Sequence, residues 1–318
     1  MAKQKSRGSW VGNSLHRGLL VFGLIAAVTQ PAWPQEFPTR PVKMVIASTT
    51  HECLRGRLPA SLVAKVSGSW AHPLELDSLL ASQRRDAVEA VAAAPADGHT
   101  ILLASIDEIV LAPIVRPNLA YDPRRALTPV ALVCRSPFLL VTRTQAPFND
   151  VEGLRQFIAA NPAMTYAANR ETLSQLLGEL VARRTGAKLG TTGYRTDYLA
   201  SMSVAEGITY AAVLDSISTA EWLKKGELKV LRLLSEAEAD IGRAKSGRGL
   251  PSIGFEFWAA LFVPAATPPS IVAEIDRAVG AALGDPQISP RTSQLSAFIE
   301  NSESWVRWLV QEGRVGRN

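Results

Sequence analysis

Almost everything that would announce an enzyme is missing from this sequence. It has no Gly-x-Ser-x-Gly elbow, no His-Glu-x-x-His pair and no phosphate loop. Histidine is scarce: His16, His51, His72 and His99 are the only four. None has a metal-binding or catalytic partner at a recognisable spacing, so a lone His51 reads as a polar loop residue. No catalysis, cofactor or metal is expected. Cysteine is scarcer still, with only Cys53 and Cys134. Neither sits in a Cys-x-x-Cys or Cys/His pattern, and we read them as two separate thiols, although an oxidising compartment would permit a bond. No internal repeat or low-complexity tract appears.

Long apolar runs are also lacking. The longest is Gly18–Val28, about 11 residues, which fits a secretory h-region and falls short of the roughly 20 needed to cross a bilayer. Lys3, Lys5, Arg7 and Arg17 precede it without an intervening acid, as in the basic head of a signal segment. Removing those four charges from a formal +5 leaves about +1, so the basicity belongs to the N-terminus. Elsewhere no stripe of Lys and Arg interleaves with aromatics, and nucleic acid is not an expected partner. Residues 1–35 are read as an export signal.

What remains is an ordinary globular composition, 47% hydrophobic and 20% charged over 318 residues, enough for two moderate domains. Strand-like and helix-like segments alternate. Val42–Ile46 and His99–Ala104 read as strands, with Leu58–Val66 and Asp86–Ala94 as helices. Val130–Cys134 and Phe138–Thr142 are strands parted by Arg135-Ser136-Pro137. Asp150 caps a helix; Thr165–Ala168 is a strand; Leu173–Arg184 is an amphipathic helix. Ile208–Val213 and Leu228–Leu233 are further strands, separated by a helix ending at Gly226. Residues 242–249 read as a surface loop. A strand over Phe255–Val263 precedes a helix opened by Pro268-Pro269, and Trp305, Trp308 and Leu309 anchor a last helix. Repeated βα units without a count of eight argue for open α/β sheets, not a barrel.

Several stretches in order carry a resemblance: Phe37–Pro41, Ala94–Ser105, Ala120–Val133, Gly178–Leu180, Lys224–Lys229 and Phe255–Pro264. Together they resemble the substrate-binding receptors of tripartite tricarboxylate transporters, the Bug family, over nearly the whole mature chain. The resemblance implies a two-lobed type II periplasmic-binding-protein fold with open, mostly parallel sheets flanked by helices. Lobe 1 would take residues 36–134 and lobe 2 residues 135–250. Residues 251–318 would return to lobe 1, with crossovers near Cys134–Arg135 and Gly249–Ile253. It further implies a monomer that captures a small carboxylate or related metabolite in the interlobe cleft. A membrane permease or a sensor ectodomain would be its partner.

The site residues carried by that resemblance depart from the family pattern. The loop after the first strand, Ala47–Gly56, lacks the family's Pro and Gly residues, and Arg55 stands where the family has Asp. Ser48, Thr49 and Thr50 offer hydroxyls, and Arg55 a planar fork suited to a carboxylate. Alternatively Arg55 and Glu52 form a solvated pair. In lobe 2, Asn169 or Thr172 caps the helix that follows, and Tyr194, Arg195 and Thr196 occupy a ligand-contacting run in which Thr196 replaces a Gly. Ser105 and Asp215 lie at carboxyl ends of strands, where open sheets bind ligands. An Asp there holds an amine or pairs with Arg55 or Arg195. Two functions stand: a solute receptor, or a degenerate receptor with an altered pocket that serves as a sensory or interaction protein.

Overall fold

A computed structural model describes residues 37–48, 50–55, 57–77, 86–116, 119, 121–161, 163, 165–186, 190–234, 254, 256–284 and 292–315. The expected export signal and the second crossover lie outside these residues. No helix among the described residues is long and apolar enough to cross a membrane.

Two five-stranded sheets organise residues 37–318. The first has the order β2-β1-β3-β10-β4, from β1 (Val42–Ile46), β2 (Leu74–Asp77), β3 (Thr100–Ser105), β4 (Leu127–Ser136) and β10 (Phe257–Pro264). The second runs β7-β6-β8-β5-β9, from β5 (Phe138–Arg143), β6 (Thr165–Asn169), β7 (Gly190–Tyr194), β8 (Ala211–Asp215) and β9 (Leu228–Leu233). β1 pairs in parallel with β2 and β3, as β6 does with β7 and β8. The reversed strand in each sheet, β10 or β5, lies antiparallel to both neighbours. Each reversed strand is the one that enters from the other half. β4 ends in the first sheet at Ser136 and β5 opens the second at Phe138, so Pro137 alone makes the crossing. Proline has no N–H to leave unpaired there.

Helices flank the sheets: α1 (Glu52–Arg55), α2 (Arg57–Ser67), α3 (Asp86–Ala92), α5 (Pro123–Ala126), α6 (Val151–Ala160), α7 (Leu173–Arg184), α8 (Asp197–Ala205), α9 (Ser216–Lys224), α10 (Pro269–Leu283) and α11 (Thr292–Val315). Between α3 and α5, α4 opens with a π-helical turn, Asp107–Leu111, and runs on as Ala112–Val115. Strands β3, β8 and β10 carry no exposed residue, as central strands covered on both faces require. Asp150 caps α6 as expected, its side chain accepting from Gly153 N. Trp258 is buried and donates to Ser302 of α11, while Trp305 and Trp308 pack edge to face with each other.

Two expectations are corrected. Cys53 and Cys134 are not separate thiols but a disulfide, with Cα atoms 6.7 Å apart. It fastens α1 to β4, a pairing that spacing alone does not disclose. The strand placed at Ile208 begins instead at Ala211; Ile208 is 62% exposed in the preceding turn.

Candidate functional site

The carboxyl ends of both sheets face a common cleft, and three helices of the second half point their N-termini into it. Those of α9 and α7 receive a carboxylate, while α8 carries one in its first turn. Asp215 ends β8 and caps α9, accepting from Ile217 N and Ser218 N at 3.0 Å each. Asp197 is the first residue of α8. Asp107, from α4 of the first half, accepts Leu173 N of α7 at 2.9 Å. Unpaired N–H groups and the helix dipole make such positions favourable for an anion. At α7 the anion is therefore the protein's own, supplied across the cleft.

His51 joins the three acids. Its ring is fully buried, stacked at 4.1 Å between centroids on Phe257 of β10. Nε2 lies 2.7 Å from Asp107 Oδ2; Nδ1 lies 2.7 Å from Asp197 Oδ2 and 3.4 Å from Asp215 Oδ2. Burial works against a proton on this ring. The Asp197 charge and hydrogen bonds to all three acids overcome it and raise the pKa well above the ordinary 6.5. Asp215 is also opposed by burial, yet its bonds and attraction to His51 and its contacts with Ser218 draw it down to about 2. Asp197 responds the other way: burial, with Asp215 beside it, pushes it up to about 6 against the pull of His51. Donor atoms of His51, Asp197 and Asp215 lie within 4.8 Å of one another, a spacing that could also hold a cation. The 2.7 Å approach of Nδ1 to Asp197 is that of a charge-assisted hydrogen bond.

Local chain geometry sets this imidazole in place. Thr50 N donates to Ser48 Oγ, and the two hydroxyls lie 2.9 Å apart, closing a tight turn after β1. Asp197 N then donates across the cleft to Thr50 O at 3.2 Å. Two residues on from His51, the Cys53–Cys134 bond holds α1 against β4.

Beside the cluster lies a cavity of about 330 Å³. The first half contributes Ser48, Thr50, Asp107, Glu108 and Arg116; the second contributes Asn169 to Thr172, Tyr194 and Arg195. Glu108 accepts from the Ser105 amide and hydroxyl, and burial beside Asp107 raises its pKa. The side-chain amide of Asn169 is buried with neither its Nδ2 nor its Oδ1 bonded. Arg116 of the first half and Glu171 of the second pair at 2.5 Å, spanning the cavity. Glu171 is held at φ 60°, a left-handed conformation that costs a non-glycine residue about 1 kcal/mol.

The chain is matched over residues 85–311 by the model of the tripartite tricarboxylate transporter family receptor. The chain belongs to that family. This receptor is 24% identical to the protein BugT of Bordetella pertussis, over 85% of its own length and 85% of the relative's. Its fold is similar to that of MatC from Rhodopseudomonas palustris with bound malate, with a TM-score of 0.67 and 22% identity over 86% of this chain and all of the other. It is also similar to the periplasmic binding protein BugD, with a TM-score of 0.68 and 20% identity over 87% of this chain and 99% of the other. The receptor is a solute-binding protein, of a family of receptors and not of enzymes.

Of the residues singled out from sequence, Ser48, Thr50, Asn169, Thr172, Tyr194 and Arg195 line the cavity of this receptor. Thr49 lies outside the described residues. Arg55 is exposed at the end of α1, away from the cavity, and makes no ion pair among the described residues. Ser105 is buried against Glu108. Neither Asn169 nor Thr172 caps α7: Thr172 donates to Asn169 O, and Asp107 takes the free amide. Thr196 caps α8 by accepting Leu199 N. Asp215 pairs with His51, not with an arginine. The reading of His51 as no more than a polar loop residue is overturned. One signal pointed to the cluster: Asp107, Asp197 and Asp215 each stand at or just beyond a strand's carboxyl end.

Proposed function

We propose that this receptor captures a small organic acid or related metabolite in the 330 Å³ cavity and delivers it to a tripartite tricarboxylate-type permease. The observation that carries the reading is the cavity itself. It lies between two halves of a receptor-family fold and is lined by hydroxyl, amide and guanidinium groups, with the carboxylates of Asp107, Glu108 and Glu171 engaged by His51, Ser105 and Arg116. Its volume is at the small end of the roughly 300–1,000 Å³ of ligand pockets. Arg170 and Arg195 line it without making an ion pair among the described residues, so both forks are free to take a carboxylate. The malate in the solved relative MatC is a ligand of this kind. The basic and then apolar N-terminal segment supports export to the periplasm, where the mature chain acts as a monomer without catalysis. Lobe 1 is proposed to take residues 36–134 with the returning 251–318, and lobe 2 residues 135–250, the change of sheet itself falling two residues later than that bound, at Pro137.

Thermal shift of solute-stripped protein against mono-, di- and hydroxycarboxylates and amino acids tests the reading. A true ligand at 100 times its Kd stabilises by about 2.7 kcal/mol through linkage. Arg195→Ala should weaken that ligand about tenfold or more, as loss of a charge-assisted bond does. Silence across the panel would instead support an interaction role.

A further inference from the structure

We propose that this receptor closes its cleft without a solute, because two groups carried by the first half act as a tethered ligand: Asp107 takes the α7 N-terminus, and His51 takes the Asp197 and Asp215 carboxylates of the second half. A clamshell receptor ordinarily needs its solute to bridge the two halves, since neither half alone satisfies the donors and charges facing the gap. Here the α7 amide and the Asp107, Asp197 and Asp215 charges are already matched. The Asp107 carboxylate takes the α7 amide that a solute anion would take. The His51 ring lies between Asp107 of its own half and Asp197 and Asp215 of the other. Asp197 N reaches Thr50 O alongside.

The charges facing His51 are Asp107 from α4, Asp197 from α8 and Asp215 from the β8–α9 junction, with Glu108 acting at longer range. β10 presents only the Phe257 ring. Parting the halves would take the imidazole from Asp197 and Asp215, release the α7 amide from Asp107, and expose a ring built to be dry. Separating a buried, hydrogen-bonded charge pair is costly, so the closed form predominates before any solute arrives. The cavity lies beside the latch and remains available, so the solute enters an already closed receptor and does not drive its closure.

The inference does not depend on the solute's identity, and its test uses none. Protein unfolded, dialysed and refolded to remove bound molecules is measured by small-angle X-ray scattering and by amide exchange at Leu173 and Asp197, whose N–H groups bond across the cleft. Wild type should show the radius of gyration of the closed structure and protect both amides. His51→Gln should enlarge the radius and lower both protections by about tenfold or more, while β6 and β8 amides stay protected as the sign of a folded lobe. Two results would overturn the inference: solute-free wild type that is as expanded and unprotected as the variant, or a variant that remains closed. Should His51→Gln fail to fold, the wild-type measurement alone decides.

Discussion

The behaviour of this cleft is set by one imidazole. Its proton is favoured in the folded state, so the stabilisation it gives is full below pH 6.5 and is lost as pH rises through the higher folded value. Asp215 acts in the opposite sense. Its depressed pKa contributes stability above about pH 4 that disappears as pH falls toward 2. Asp197, raised to about 6, loses its contribution between about pH 4 and 6, because its ionised form is disfavoured in the fold. We therefore expect urea midpoints of wild type to fall from pH 6.5 to 9, while His51→Gln, which lacks the titrating imidazole, does not show that fall. Parallel profiles for the two proteins would mean that His51 carries no such proton. The sequence contained every member of this cluster but not its assembly. Residues 51, 107, 197 and 215 come from four separate strand-to-helix junctions, and only topology brings them together. Gly178, by contrast, was singled out within a motif. Its place has a steric reason, since a Cβ there would meet the Tyr166 ring at about 2 Å.

Elements whose residues alternate or recur with a clear period were legible before the structure. Val42–Ile46 and Leu173–Arg184 match their expected bounds. β2 and β7 were not anticipated. Both are edge strands: Leu74–Asp77 buries one residue of four, and Gly190–Tyr194 fully buries none, so neither displays an apolar face. The disulfide also acts at this scale. It links residues 81 apart, and closing a loop of that length stabilises by about 4 kcal/mol in the chain-entropy account. Cys53→Ser with Cys134→Ser should lower the midpoint by several degrees and loosen α1, which follows His51 directly. If reduction leaves the melting temperature unchanged, the bond does not contribute to the folded clamp.

The whole molecule joins two features of opposite sense. The halves are latched by the protein's own ions, yet a polar cavity persists between them. A cleft wholly filled by side chains would leave a receptor nothing to carry; this one is filled at the α7 N-terminus and around His51, and open next to them. The fold class and family were legible because many short stretches kept their order along the chain. The cavity was legible only in part, since the altered loop displays Ser48 and Thr50 while Arg55 lies elsewhere. The most direct measurement is native mass spectrometry of the receptor purified from its host without unfolding. The account predicts one small acid bound per chain, released on denaturation and absent from Arg195→Ala. A bare chain mass from every preparation, with no heat on titration of the carboxylate panel, would contradict it.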